Sequence, residues 1–166
     1  MFEHSVEIKM NCDVETAFKW LIDLSNLPKY CKDYTPEKVK KVKDGDANGV
    51  GAEWFLLSAQ LKDVDDADLQ ENEKKLKKEV AQTCTIKSVT LPSEFSQVSE
   101  IVGVTTVEET FHFVMNADGT TTTVTIKIAA TFKGLYILGS PLIKHILRKY
   151  YAEMKESIEK ITFLKE

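Results

Sequence analysis

The sequence predicts an α+β fold in which one curved antiparallel sheet of about seven strands closes on a long C-terminal helix, with two short helices after the first strand. Three observations predict it. The last quarter of the chain sets an alternating strand, 121–132, before a Gly-bounded apolar loop and one long amphipathic helix over about 141–164. Almost everything between a short helical stretch near the start and that point alternates with period two, the pattern of half-buried strand. A long helix with one apolar stripe must bury that stripe, and the only partner of matching length is the inner face of the sheet. A sheet gripping a helix commonly leaves a cavity, so the pattern points toward binding something apolar.

The first strand places Phe2, His4, Val6, Ile8 and Met10 on one face and Glu3, Ser5, Glu7 and Lys9 on the other. Asn11 or Asp13 is the expected cap of a helix in which Val14, Ala17, Phe18, Leu21 and Ile22 recur at helical spacing. Ser25-Asn26-Leu27-Pro28 opens a second short helical turn ending near Tyr30. A strand over 39–43 leads to the turn-rich Asp44-Gly45-Asp46-Ala47-Asn48-Gly49 and the next strand, 52–61. Further strands are expected at 80–90, 95–103 and 106–115, with Leu91-Pro92-Ser93-Glu94 between the first two. Asn116-Ala117-Asp118-Gly119 is a hairpin turn into the strand 121–132.

Composition bounds the function. At 166 residues, 43% hydrophobic and 29% charged, the chain has the size of one ordinary domain and can bury a core without staples. A net charge of −4 opposes attraction to nucleic acid or anionic membrane, and the lysines are interspersed with acids. No nucleic-acid partner is expected, nor stable membrane insertion, since no run of about eighteen apolar residues exists. Cys12, Cys31 and Cys84 are odd in number and far apart, as for reduced thiols in a cytoplasmic protein. The N-terminus alternates and carries acids, unlike a signal peptide.

The resemblance to a known superfamily rests on specific residues. They are the opening strand, Cys12-Asp13-Val14-Glu15-Thr16-Ala17-Phe18-Lys19-Trp20-Leu21-Ile22-Asp23-Leu24 and Leu27-Pro28. To these add Gly49-Val50-Gly51-Ala52, the Asp118-Gly119-Thr120 turn before a Thr/Val/Ile strand, and the closing helix. Over essentially the whole chain they resemble the START-like superfamily of polyketide cyclase/dehydrase, lipid-transport and birch-pollen-allergen-type proteins. The resemblance implies a helix-grip architecture around an internal ligand cavity, with 1–166 as a single START-like ligand-binding domain. It carries no catalytic motif, because the superfamily is defined by a cavity shape.

Period alone proposes the lining. Val124, Ile126, Ile128, Ala130 and Phe132 share a face of the last strand, as Val107, Glu109, Phe111, Phe113 and Met115 do on its partner. On the final helix Ile143, Ile146, Leu147, Tyr150, Met154, Ile158 and Ile161 form the stripe, with Lys144, Arg148, Lys155, Glu159 and Lys160 outside. These residues make either an ordinary packed core or a pocket, and a pocket needs polar groups among them. Glu109 is the foremost such group. Facing an apolar cavity it would have a raised pKa and act as a hydrogen-bond anchor or general acid/base, whereas a frayed strand start would turn it to solvent. Gln97 and Ser99 share a face with Phe95 and Ile101, and Tyr150 brings a phenol from the helix. The expected ligand-binding set is therefore Gln97, Ser99, Glu109, Phe111, Phe113, Ile126, Ile128, Ile143, Leu147, Tyr150 and Met154, with Glu109 and Tyr150 as catalytic candidates.

The apolar segment Gly134-Leu135-Tyr136-Ile137-Leu138-Gly139-Ser140 is either a cavity entrance meeting a greasy ligand or membrane surface, or packed core continuing its neighbours. The charged stretch 62–79 departs from the compact superfamily pattern. Its acids come first and its lysines last, and Glu71–Lys75 and Glu73–Lys77 have the favourable i,i+4 order, each worth roughly 0.2–0.5 kcal/mol. A short solvated helix or hairpin tip is expected there. Gly49-Val50-Gly51 and Gly134 to Gly139 both lack the setting of a nucleotide loop, and no cofactor is expected. His4, His112 and His145 lack metal-ligand spacing, and no HExxH or GxSxG pattern occurs.

Three function classes follow. The first is a carrier or binder of a hydrophobic small molecule such as a lipid, isoprenoid or polyketide. The second is a cyclase/dehydrase-type enzyme in which Glu109 and a hydroxyl exchange protons with substrate. The third is a protein-interaction module, resembling the chaperone-activating branch of the superfamily, with the cavity reduced to core.

Overall fold

A computed structural model describes residues 1–58, 80–137 and 140–163. Seven strands form one antiparallel sheet: β1 (Phe2–Met10), β2 (Val39–Lys43), β3 (Glu53–Ser58), β4 (Val80–Thr90), β5 (Glu94–Ile101), β6 (Thr105–Met115) and β7 (Thr122–Phe132). Their order is β1-β7-β6-β5-β4-β3-β2. Between β1 and β2 lie α1 (Val14–Ile22), a 3-10 turn (Leu24–Asn26) and α2 (Leu27–Tyr30), and after β7 comes the long helix α3 (Ser140–Glu159). This is the α+β helix-grip arrangement.

Local chemistry explains the ends of these elements. Asp13 accepts the Thr16 backbone N–H at 2.8 Å and so caps α1, whose Ala17, Phe18 and Leu21 are buried. In the β6–β7 turn the Asp118 carboxylate accepts the Thr120 and Thr121 backbone N–H groups at 2.8 and 2.9 Å. Those bonds hold its pKa down at about 2. The turn before β3 is tight: a Cβ on Gly45 would sit 2.5 Å from the Gly49 carbonyl carbon and oxygen. Register shifts in β2–β3 at Lys41/Lys43 and in β4–β5 at Ile86/Ser88 interrupt the ladder, and bulges of this kind bend a sheet.

The core lies between the inner face of the sheet and the helices. Ile8, Met10, Phe95, Val124 and Ile126 from the strands and Ile158 from α3 are completely buried. Phe18 of α1 packs against Phe95 and Phe113 with ring centroids 5.5 and 5.2 Å away, and Phe95 stacks on Phe111 at 4.5 Å. Aromatic rings thus fill the end of the grip beneath α1. Helix α3 is fastened to the free edge of β1 by polar side chains. Lys155 donates to the Glu7 carbonyl at 2.6 Å, and Glu159 accepts the Lys9 backbone N–H at 3.0 Å. Two orphan groups of an edge strand are satisfied in this way.

Several boundaries differ from expectation. The last helix ends at Glu159 and not near 164, because Phe163 leaves the helix axis to pack edge-on against Trp20, centroids 5.4 Å apart. Ile161 therefore packs on the core from beyond the helix. The apolar segment after β7 forms a 3-10 turn (Gly134–Ile137) whose Leu135 and Ile137 are 82% and 59% exposed. Positions 138 and 139, the charged stretch 62–79 and the end of the strand expected over 52–61 lie outside the described residues.

Candidate functional site

Strands β5 and β6 pair in a register that sets Gln97 directly opposite Glu109. Both point inward by strand parity, in line with the buried Phe95 and Phe111. The Gln97 side-chain amide donates to Glu109 Oε2 at 2.8 Å, and the Tyr151 hydroxyl, from α3, donates to Oε1 at 2.6 Å. Gln97 is 6% exposed and Glu109 8%. Burial pushes the Glu109 pKa up, and the bonds from Gln97 and Tyr151 offset that only in part. The remaining Gln97 atom, carbonyl Oε1, is buried without a hydrogen-bond partner among the described residues.

Gln97 and Glu109 line a chamber of about 40 Å³ between the sheet, α2 and α3, and Tyr151 stands behind Glu109. Leu24, Leu27, Leu56 and Phe111 supply apolar wall; Gln82, Cys84, Gln97, Ser99 and Glu109 supply polar wall; Tyr30, Tyr34, Tyr150 and Met154 complete it. Gln82 donates to the Tyr34 hydroxyl. Outside the chamber, between α2 and α3, runs a groove of about 410 Å³, rimmed by Lys29, Lys32, Asp33, Glu153, Glu156 and Lys160. Tyr30, Tyr150 and Met154 line both spaces and so form the wall between them. Two ties cross this wall: the Cys31 thiol donates to the Tyr150 hydroxyl at 3.2 Å, and Lys32 pairs with Glu153 at 3.4 Å. A thiol is a weak donor and an exposed ion pair contributes about 0–1 kcal/mol, so neither tie is strong.

Of the residues proposed from sequence, Gln97, Ser99, Glu109, Phe111, Tyr150 and Met154 line the chamber. Phe113, Ile126 and Ile128 are buried in the core and border neither space. Leu147 is half-buried against the core, and Ile143, nearer the start of α3, is half-buried and borders neither space. The sequence reading missed Tyr151, which bonds Glu109, and the chamber-lining Leu24, Leu27, Tyr30, Tyr34, Leu56, Gln82 and Cys84. Both Tyr150 and Tyr151 continue a helical stripe from Leu147 to Met154, because steps of three and four are equally compatible with it. The rotation of α3 turns Tyr151 to the sheet and Tyr150 to α2.

The chemistry open to the site is limited. Burial raises the pKa of Cys12 to about 11 and of Cys31 and Cys84 to about 12, so their thiols are protonated and poor nucleophiles near neutrality. Among the described residues no group of three or more His, Cys, Asp or Glu is placed to hold a metal ion, and no helix is long and apolar enough to cross a membrane. The buried Glu109 carboxyl, its pKa raised by desolvation, is suited to hydrogen bonding and proton exchange.

No protein-family model matches the sequence, and no curated protein is detectably similar to it. Solved structures do match in three dimensions. A START superfamily protein from Mycobacterium smegmatis superposes with a TM-score of 0.68 at 10% identity, over 95% of this chain and 94% of that one. An aromatase/cyclase from a Streptomyces species gives 0.70 at 7% identity, over 95% and 91%. A protein from Thermus thermophilus gives 0.71 at 14% identity, over 96% and 95%. With coverage near complete on both sides, the likeness extends from β1 to α3, and the chain has the START-like helix-grip fold.

Proposed function

We propose that this protein binds a hydrophobic small molecule between the sheet and α3, with the Glu109–Gln97–Tyr151 cluster as its polar anchor. The observation that carries this reading is the cluster itself. A largely hydrophobic interior holds a buried carboxyl group and an amide whose Oε1 lacks a partner among the described residues. Leaving such a group unsatisfied costs about 1–3 kcal/mol, and apolar residues of similar volume would stabilise the fold better. The cluster's place beside a chamber supports a role toward a ligand.

A chamber of about 40 Å³ has room for a few water-sized groups only, so the ligand's body needs the groove as well. The groove's 410 Å³ falls in the ~300–1,000 Å³ range of small-molecule pockets. Swinging the Tyr150 and Met154 side chains aside, against the two weak ties, joins the spaces into one site. Apolar burial at roughly 25 cal/mol per Å² then supplies the affinity.

The 2.6 Å bond between Tyr151 and Glu109 favours a second reading, a cyclase/dehydrase-type enzyme in which this pair exchanges protons with bound substrate. The small chamber favours a third, an interaction module with a filled interior. Native mass spectrometry of the gently purified protein, with organic extraction of anything carried along, separates them. A stoichiometric apolar adduct is expected. A clean mass after incubation with a lipid and metabolite panel would contradict binding and favour the interaction module, and conversion of a bound compound that Glu109→Gln abolishes without loss of binding would favour the enzyme.

A further inference from the structure

The chamber is not neutral in its hydrogen-bond demand. Gln97 Oε1 is an acceptor, more than nine-tenths buried with its residue, and has no donor among the described residues. One of its two amide N–H groups is given to Glu109, whose two oxygens already receive Gln97 and Tyr151. Ser99 and Tyr150 carry hydroxyls that serve as donor or acceptor and impose no sign. Among the described residues no Lys, Arg or His lines the chamber; the basic side chains Lys29, Lys32 and Lys160 stand outside on the groove. A carboxylate pushed into the chamber would face a carbonyl oxygen and a carboxyl group with no cation to offset its desolvation. A group that is uncharged and brings a proton to share meets the unpartnered Gln97 Oε1.

Resting on the ligand-binding reading above, we propose that the chamber selects the hydroxyl end of an uncharged alcohol, whose O–H donates to Gln97 Oε1 while its apolar chain runs out between α2 and α3. The ligand class is then long-chain or polycyclic alcohols and phenols, in place of fatty acids or other anions. The Gln97 oxygen is the specificity determinant, because a site built to receive a donor rejects the analogue lacking it by leaving its own buried group unpaired.

The test compares 1-octanol with octyl methyl ether by calorimetric or native mass-spectrometric titration, with octanoate as a third ligand. The ether is the more apolar of the first pair, so burial alone ranks it first and only a donor requirement reverses that order. The alcohol is expected to bind at least about tenfold more tightly than the ether and than octanoate. In Gln97→Met the alcohol-to-ether ratio is expected to fall to about twofold or less. Equal or tighter binding of the ether, or tighter binding of octanoate, overturns the hydroxyl assignment and leaves the ligand-binding reading standing. Saturable binding of none of the three overturns both. The wild-type comparison decides the question even if the variant does not fold.

Discussion

Tyr151 and Glu109 meet at 2.6 Å across the interface between α3 and β6, joining the helix to the centre of the sheet by a bond buried on both sides. Tyr150, one residue earlier, points instead toward α2 and accepts a bond from the Cys31 thiol. On the proposed ligand-binding reading the two tyrosines divide the work: Tyr151 holds the Glu109 anchor, and Tyr150 closes the wall between chamber and groove, the mouth of the site.

This division predicts unequal effects of removing each hydroxyl. Tyr151→Phe leaves a buried carboxyl oxygen short of a donor and is expected to cost about 1–3 kcal/mol. Tyr150→Phe loses only a weak thiol donor from a half-buried group, for under about 1 kcal/mol. Urea denaturation of the two variants measures both, and a larger loss for Tyr150→Phe would reverse the assignment.

Glu109 predicts a pH dependence with a definite sign. Its folded pKa is raised by burial, so below about pH 4.3 both folded and unfolded chains carry the proton and its ionisation costs nothing. As pH rises past that value the unfolded chain releases a proton that the folded chain keeps, and stability falls until the folded pKa is reached. Asp118, with its pKa held at about 2, acts in the opposite sense at lower pH. Glu109→Gln is therefore expected to gain stability relative to wild type as pH goes from 4 to 8. Urea midpoints at pH 4, 6 and 8 report this, and a difference independent of pH would be the contrary result.

The cysteines are expected to be silent in the folded state. With pKa values of about 11 to 12, roughly one thiol in a thousand or fewer is ionised at pH 8, and burial blocks reagent as well. Reaction with an aromatic disulfide reagent at that pH should be at least about a hundredfold slower than in urea, where all three thiols of the chain react. A fast-reacting thiol in the native protein would refute this.

The mouth is expected to open more readily than the sheet. α2 has four residues and is tied to α3 by the Cys31–Tyr150 bond and the Lys32–Glu153 pair, whereas β6 and β7 pair along their whole lengths. Amides of α2 should exchange with solvent at least about a hundredfold faster than those at the centre of β7. Cys31→Ala should widen the gap, and equal protection of the two regions would contradict a hinged mouth.

The sheet was legible in the sequence because period-two alternation fixes both the strands and the faces they bury. The β6 parity that puts Phe111 and Phe113 inside puts Glu109 there too, and Gln97 follows from Phe95 in the same way. Choosing between Tyr150 and Tyr151 was beyond it, since a helix of this length rotates to suit the surface it meets. Nor could it give the size of the chamber. That volume depends on where α2 and α3 set Tyr30, Tyr150 and Met154 over the sheet, which is an outcome of packing across the fold.

The most direct measurement is amide chemical-shift mapping by NMR of the full chain titrated with 1-octanol. Binding between sheet and helix predicts saturable shifts concentrated at Gln97, Ser99, Glu109 and Phe111 and along Tyr150 to Met154. Shifts confined to the exposed Leu135 and Ile137, or none up to the solubility of the alcohol, would contradict it.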